Sequence, residues 1–346
     1  MTTLQSLLNI EYPIIQAPMA GVQGSALALA VCNAGGLGSL PCATLGSDAL
    51  VREMTTLKAG TTQPFNVNFF CHTPPIPDPE REARWRAVLA PYYAELGVDM
   101  DSIQAGPGRT PFDQAAADVL DDIRPAVVSF HFGLPSAQLL ERVRATGARI
   151  LSCATTVAEA RWLEANGVDA VIAQGLEAGG HRGTFLHEAP GTQMETLALL
   201  REIVDRVRVP VIAAGGIADA GAVAAALALG AAGVQVGTAY LLCPEATTSA
   251  VHRTALKSAA ARSTVLTNVF TGRAARGIVN RIVKEVGPMS GDAPEFPLAA
   301  AAIAPLRAKA ESLGSGDFSP LWSGQNDSAC REVGAAQLTR ELAGSS

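Results

Sequence analysis

Short runs of β-branched and other apolar residues recur along the chain, and most are separated by longer stretches with helical periodicity. Several runs are apolar throughout, which is typical of strands that are covered on both faces. Eight strands are predicted in this way, at residues 14–17, 37–40, 65–68, 126–129, 150–152, 170–173, 211–213 and 233–236. Eight such strand–helix units predict an α/β protein with a (β/α)8 TIM barrel fold. A doubly wound open sheet is the alternative.

Two segments depart from this alternation. Residues 71–120 form a long insertion after the third strand, with a Pro-rich start, a helix and a Gly/Pro turn. Because insertions after barrel strands lie at the C-terminal face, we expect a lid or a substrate wall, with a surface decoration as the alternative. Residues 263–346 follow the eighth unit and are predicted to form a small C-terminal helical region over the barrel mouth. The barrel itself is therefore assigned to residues 1–262.

Composition and charge exclude several classes of protein. Hydrophobic residues make up 48% of the chain and charged residues 17%, which excludes a disordered protein. The net charge is −6 and no block of Lys or Arg occurs, which argues against nucleic acid and membrane surfaces as partners. The first residues lack the features of a signal peptide, and the most apolar segment, 220–234, is too short to span a membrane.

The cysteines and histidines indicate neither a disulfide framework nor a metal site. Six cysteines are scattered along the chain without a C-x-x-C pattern, which favours buried thiols in a reducing cytoplasm. His181 and His187 are close in sequence, but no third metal ligand is near them. We therefore expect a cytoplasmic protein with no metal.

Glycine pairs follow the last two predicted barrel strands. Gly215 and Gly216 come directly after the seventh strand, and Gly237 and Thr238 directly after the eighth. In many barrels these two loops bind a phosphate through backbone N–H groups, which glycine allows to approach closely. Either pair alone could simply make a turn, but both together favour a phosphate site. No Walker A or G-x-G-x-x-G sequence occurs, so a Rossmann nucleotide site is not expected.

A histidine in a glycine-rich loop follows the sixth predicted strand. The loop reads QGLEAGGHRG over residues 174–183, and Gly179, Gly180 and Gly183 leave His181 little side-chain cover. A near-neutral pKa suits histidine to general acid or base chemistry. The alternative is a structural or surface histidine.

Two further segments place polar or small residues at strand ends. The first strand ends in QAPMAG at residues 16–21, where small residues allow backbone contact with a flat ligand, although an ordinary turn has the same pattern. In the third strand, Asn66 and Asn68 lie on one face, and the Asn68 amide could donate and accept hydrogen bonds. An internally satisfied polar residue of the barrel is the alternative for Asn68.

Six motifs in this order resemble the nitronate monooxygenases, long called 2-nitropropane dioxygenases. They are QAPMAGV, NVNFF, QGLEAGGHRG, AAGGIAD, QVGTAYL and LWSGQ, and the resemblance runs from about residue 14 to 325. It implies an FMN-containing TIM barrel with a smaller domain over its mouth. Such enzymes oxidise alkyl nitronates, such as propionate 3-nitronate, with O2 to a carbonyl compound and nitrite, without consuming NAD(P)H.

The resemblance also assigns roles to residues of this chain. The phosphate end of FMN would lie at the loops around residues 215–216 and 235–238, and the flavin ring beside residues 17–20. Asn68, Gln174 and Gly179 would hydrogen-bond the flavin, His181 would be the catalytic residue, and Gln325 would be a contact from the second domain. The full implied set of cofactor-binding residues is Ala17, Pro18, Met19, Ala20, Asn68, Gln174, Gly179, Gly180, Gly215, Gly216, Gln235, Val236, Gly237, Thr238 and Gln325.

A cationic or proton-donating His181 would attract a nitronate anion, and the same residue could remove the α-proton of a neutral nitroalkane. The expected partners are a small-molecule nitronate and O2, with the chain as a monomer or homodimer. One alternative is an FMN-dependent NAD(P)H enoyl-acyl-carrier-protein reductase, which shares the EAGGH-type motif. Another is a non-catalytic flavin-binding barrel.

Overall fold

Eight parallel strands form a nearly closed barrel in the computed structural model, which describes residues 3–103, 109–186 and 193–345. Numbered in chain order, the barrel strands are β1 (Ile14–Gln16), β2 (Ser39–Pro41), β3 (Asn66–Phe70), β4 (Val127–His131), β5 (Arg149–Ala154), β6 (Ala170–Gln174), β8 (Val211–Ala214) and β9 (Gly233–Val236). Their order in the sheet is β1-β9-β8-β6-β5-β4-β3-β2. Leu37, just before β2, pairs in parallel with Ile15 and closes the remaining gap. The predicted TIM barrel is confirmed, and an open sheet is excluded.

Thirteen α-helices are found in the described residues. In chain order they are α1 (Leu4–Leu8), α2 (Ser25–Cys32), α3 (Ser47–Gly60), α4 (Pro79–Leu96), α5 (Gln114–Ile123), α6 (Ala137–Ala145), α7 (Val157–Ala165), α8 (Thr196–Val204), α9 (Ala220–Ala228), α10 (Ala250–Leu256), α11 (Arg281–Glu285), α12 (Ala299–Ser312) and α13 (Ala335–Leu342). Local signals set several boundaries: Asp219, for example, caps α9 by accepting a hydrogen bond from the N–H of Ala222 at 2.8 Å. No described helix is long and apolar enough to cross a membrane.

The hydrophobic core of the barrel has two layers, one on each face of the strands. The larger cluster lies between the strands and the outer helices, where residues such as Val67, Val171 and Leu199 are fully buried. A second cluster joins alternate strand residues to α1, whose Leu4 and Leu8 are buried with them. Strands covered on both sides in this way explain the apolar runs in the sequence.

A second, smaller unit lies beside the barrel. Its antiparallel sheet has the order β10-β11-β7, formed by β7 (Gly180–His181), β10 (Thr264–Thr267) and β11 (Ala275–Ile278). In its core, Trp85 of α4 donates a hydrogen bond to the Ala299 carbonyl of α12 at 3.3 Å, and Leu89 and Ile303 are buried in the same cluster. The insertion after β3 therefore packs against residues that follow the barrel.

The C-terminal residues differ in detail from the predicted helical region. Besides helices they contain β10 and β11, which extend the short strand that carries His181. The last helix, α13, packs against α2 and α9 of the barrel, and its Thr339 hydroxyl is 2.9 Å from the Tyr240 hydroxyl. The chain thus leaves the barrel, forms the second unit and returns. Although β10 is close to β11 in the sequence, the other partner of β11, β7, lies far away, so no local pattern showed the whole sheet.

Candidate active site

The carboxyl ends of the barrel strands open into a cavity that is partly open to solvent. Residues that follow β1, β3, β6, β8 and β9 line it, together with β7 of the second sheet. Trp322, Gly324 and Asn326, from the segment before α13, complete the lining. This is the position at which barrels of this kind bind their ligands.

Most residues predicted from the sequence line this cavity. They are Ala17, Pro18, Met19, Ala20, Asn68, Gln174, Gly179, Gly180, His181, Gly215, Gly216, Gln235, Gly237 and Thr238. Val236 and Gln325 do not. Val236 is buried, and its carbonyl accepts a hydrogen bond from the N–H of Ala17 at 2.8 Å. Gln325 is exposed, whereas its neighbours Gly324 and Asn326 face the cavity.

Two glycine loops lie together at the cavity. Gly215 and Gly216, after β8, have φ angles of 121° and 70°, which side chains rarely allow. After β9, the Thr238 hydroxyl accepts a hydrogen bond from the N–H of Gly324 at 2.9 Å, and the Asn326 amide donates to the Gly216 carbonyl at 2.9 Å. Within the described residues, the N–H groups of Gly216 and Thr238 donate to no protein acceptor, so both are available to an anion.

Small residues keep the loops after β1 and β9 close together. A Cβ atom on Gly237 would lie 3.4 Å from Ala17 Cβ and 3.6 Å from Met19 Sδ. On β3, Asn68 Nδ2 donates hydrogen bonds to the hydroxyl of Ser129 at 2.9 Å and to its carbonyl at 3.2 Å. Asn68 Oδ1 accepts no hydrogen bond from the described residues, so this oxygen is available to a donor on a ligand.

His181 is fixed at the cavity by backbone and side-chain hydrogen bonds. It pairs with Ala275 in the second sheet. Its carbonyl accepts hydrogen bonds from Gln174 Nε2 at 3.0 Å and from His131 Nε2 at 3.2 Å. Its ring Nε2 lies 2.9 Å from the Thr271 hydroxyl. Both sheets of the protein therefore set the position of this imidazole.

Gln174 holds the histidine loop in shape. Besides its bond to His181, its Oε1 accepts a hydrogen bond from the N–H of Gly183 at 2.8 Å. Its own carbonyl accepts one from Arg182, a buried guanidinium that also donates to the Gly175 carbonyl at 2.5 Å. For the cofactor contact that the sequence predicted, the Gln174 side chain still has its second amide hydrogen and the second lone pair of Oε1.

Comparison with known proteins identifies the family. The chain matches a family model described as nitronate monooxygenase over residues 1–344. The chain belongs to the nitronate monooxygenase family. The nitronate monooxygenase of Pseudomonas aeruginosa is 45% identical over 342 residues, which are 97% of this chain and 96% of that protein. This chain is therefore an oxidoreductase of the nitronate monooxygenase type.

Two solved structures of similar proteins agree with this assignment. A nitroalkane oxidase from Streptomyces ansochromogenes has a TM-score of 0.91 at 39% identity, covering 99% of this chain and 97% of its own. FabK from Thermotoga maritima has a TM-score of 0.72 at 26% identity, covering 99% of this chain and 95% of its own.

Burial favours the neutral forms of His181 and His131. Burial lowers the pKa of His181 well below its usual range, and the positive charge of Arg109 lowers it further. Burial likewise lowers the pKa of His131 to about 3. The cationic His181 considered in the sequence analysis is therefore not the form present at pH 7. The neutral imidazole has one ring nitrogen free of a proton, so His181 is present as a base and not as an anion-attracting charge, and its lowered pKa makes it a weaker base than an exposed histidine.

Sequence reasoning missed an aromatic wall around His181. Its ring centroid lies 5.2 Å from that of Phe296, 5.5 Å from that of Trp322, and 6.2 Å from those of both Phe70 and Phe132. These four residues come from separate segments, so no local motif joined them. In the part of the chain that the structure describes, no group of three His, Cys, Asp or Glu residues is placed to bind a metal. His187 lies outside that part.

Proposed function

We propose that the protein is an FMN-dependent enzyme that oxidises alkyl nitronates, such as propionate 3-nitronate, with O2 to a carbonyl compound and nitrite, with His181 as the catalytic residue. One observation carries the proposal: His181 and both glycine loops line the same cavity at the carboxyl ends of the barrel strands. The base His181 thus lies in the same cavity as two glycine loops whose N–H groups could bind the phosphate of a cofactor.

The residues of the cavity fit FMN. The N–H groups of Gly216 and Thr238, with the Thr238 hydroxyl, would hold the phosphate. Residues 17–20, which line the cavity, would lie beside the flat ring. Asn68 Oδ1 would accept a hydrogen bond from a ring N–H. Next to His181, no atom of the described residues other than the chain neighbours of Gly180 lies within 4 Å of where a Cβ on Gly180 would stand, so there is space for a ring. Bound FMN supplies the electron acceptor.

The protein's own residues bind, orient and deprotonate the substrate. Because His181 is neutral, its unprotonated ring nitrogen can take the α-proton of a neutral nitroalkane. We include nitroalkanes as substrates because the solved structure from Streptomyces ansochromogenes is named a nitroalkane oxidase. Thr271 holds the imidazole through the 2.9 Å contact with Nε2, and the aromatic wall keeps water away from the ring.

An anaerobic titration tests the function directly. We expect the purified protein to be yellow, to bleach when propionate 3-nitronate is added without oxygen, and to regain its colour in air. The measurement is the visible absorbance spectrum, with nitrite assayed after the return of air. Bleaching by NADPH but not by the nitronate would move the function to an enoyl reductase-like reaction. A colourless protein that takes up no FMN would contradict the cofactor.

Removal of the Thr238 hydroxyl tests the phosphate site. We expect Thr238→Val to raise the dissociation constant of FMN about 10- to 100-fold, because a charge-assisted hydrogen bond to the phosphate is lost. The measurement is fluorescence quenching of FMN added to flavin-depleted protein. Thr248→Val is the matched control, because the Thr248 hydroxyl is buried without a partner among the described residues. Equal FMN affinity in both variants would place the phosphate elsewhere.

Other features of the proposal concern partners and location. We propose a nitronate and O2 as the reacting molecules, and a monomer or a homodimer as the assembly. We propose the cytoplasm as the location, and the six cysteines are free. A division into a barrel of residues 1–262 and an appended region of residues 263–346 is likewise a proposal, and it assigns α13 to the appended region although this helix packs on the barrel.

A further inference from the structure

Arg109 is a cation in the wall of the active-site cavity. It lies at the end of the insertion between β3 and α5, and its side chain lines the cavity together with His181. The Cζ atom of Arg109 is 5.6 Å from the centroid of the Phe296 ring, and the His181 ring centroid is 5.2 Å from the same point. The guanidinium and the imidazole are therefore neighbours of one aromatic ring.

The charge of Arg109 has no counterpart in the described protein. Its Nε is buried and has no hydrogen-bond partner, and no described carboxylate forms an ion pair with it. Glu177 is the only carboxylate among the described residues that line the cavity, and its Oε2 already accepts hydrogen bonds from the N–H and hydroxyl of Thr196 at 2.8 and 2.7 Å. A partly buried cation without a matching anion among the described residues costs free energy, and a ligand that brings the anion would remove this cost.

Since His181 is neutral, it cannot supply the positive charge that an anionic substrate needs. We propose that Arg109 binds a planar two-oxygen anion of the substrate, either the nitronate group or a carboxylate elsewhere on its chain. This inference rests on the proposed function. Both groups have the same shape, with two oxygens that match the paired N–H donors of a guanidinium. The guanidinium of Arg109 lies over the face of the Phe296 ring, and this cation–π contact stabilises its positive charge.

An inert anion tests this role without any reaction. Succinate has two planar anions in the places of the nitronate and the carboxylate of propionate 3-nitronate. We expect Arg109→Gln to weaken succinate binding to the flavin-loaded protein about 10- to 100-fold, measured by calorimetry at pH 7. A loss of kcat/KM for propyl-1-nitronate as large as that for propionate 3-nitronate would assign Arg109 to the nitronate position, and a loss for propionate 3-nitronate alone would assign it to the remote carboxylate.

The control variant is Arg84→Gln. Arg84 belongs to the same insertion, but it is exposed and its partner is Asp292 at 3.3 Å, so we expect succinate binding to stay within about twofold of the unmodified protein. Equal succinate binding by Arg109→Gln and the unmodified protein would overturn the proposal. If Arg109→Gln loses succinate but the unmodified protein does not oxidise nitronates, the proposed function fails and the anion site stands.

Thermal stability separates recognition from a structural role. Because Arg109 Nε has no hydrogen-bond partner among the described residues, we expect the Tm of the ligand-free Arg109→Gln protein to be no lower than that of the unmodified protein. Arg109→Lys keeps the charge without the paired donors, and we expect its succinate affinity to lie between the other two. A lower Tm in Arg109→Gln, together with no recovery in Arg109→Lys, would make Arg109 structural and overturn the proposal.

Discussion

Replacement of His181 by glutamine is expected to lower kcat/KM for a neutral nitroalkane about 10²- to 10⁴-fold, the usual contribution of a positioned base. Glutamine is chosen because its amide can still hydrogen-bond the Thr271 hydroxyl, which lies 2.9 Å from Nε2 of the histidine. The variant therefore keeps a polar partner for Thr271 and lacks only a group that takes a proton. The measurement is the initial rate of oxygen uptake, with the flavin content of each preparation determined from its spectrum.

A preformed nitronate separates the base role from other roles of His181. Such a substrate has already lost its α-proton, so we expect its kcat/KM to fall at least about tenfold less than that of the nitroalkane. Equal losses for both substrates would make His181 an orienting group, and no loss for either would remove it from the reaction. Flavin content close to that of the unmodified protein is the required control.

The pH dependence of the reaction follows from the burial of His181. Burial, with the charge of Arg109 as a second cause, lowers the pKa of this imidazole well below its usual range. We therefore expect kcat/KM for a nitroalkane to lack the inflection near pH 6.5 that an exposed histidine would give, and to decline only at more acidic pH. An inflection near pH 6.5 that disappears in His181→Gln would show that water reaches the His181 imidazole and that burial does not lower its pKa.

Local patterns predicted the barrel and much of the cavity because each signal lies within one strand–loop unit. Gly215 and Gly216 have positive φ directly after a buried strand, and two adjacent glycines are a signal of this conformation that is visible in the sequence. The QGLEAGGHRG loop is a single continuous motif, so His181 could be placed at the end of a strand before its surroundings were known. Parallel strands bring their carboxyl ends to one face, which then joins these separate signals into one cavity.

Features made by distant segments could not be predicted in this way. Phe70 and Phe296 approach His181 from segments far apart in the sequence, and the charge state of His181 depends on how completely such residues enclose it. The second sheet is another case, since β7 has only two residues and exists through pairing with β11. Among the described residues Arg109 Nε has no hydrogen-bond partner, and this depends on every segment packed around it, which composition cannot show.

Acid is expected to destabilise the protein well before its carboxylates titrate. Burial lowers the pKa of His72 and of His252 to about 4 and that of His131 to about 3, and it lowers that of His181 well below the usual range. In the unfolded chain each of these groups binds a proton below about pH 6.5. Because the unfolded state then holds more protons, the free energy of unfolding falls as the pH falls from 7 towards 4.

A histidine that stays neutral in the folded protein at pH 5 lowers the free energy of unfolding by about 2 kcal/mol between pH 7 and pH 5. Four such groups are expected to remove several kcal/mol, a large fraction of the stability of a typical domain. The measurement is urea unfolding at both pH values. His131→Gln is the decisive comparison, because a glutamine amide can still donate to the His181 carbonyl but does not titrate.

We expect His131→Gln to lose about 2 kcal/mol less between pH 7 and pH 5 than the unmodified protein. Carboxylates and any bound cofactor contribute equally to both proteins, so the difference between the two slopes isolates this one imidazole. Equal slopes would mean that His131 takes up its proton in the folded state too. The enclosure that keeps His181 neutral would then be looser than its aromatic neighbours imply, and the assignment of the active-site charge to Arg109 would have to be reconsidered.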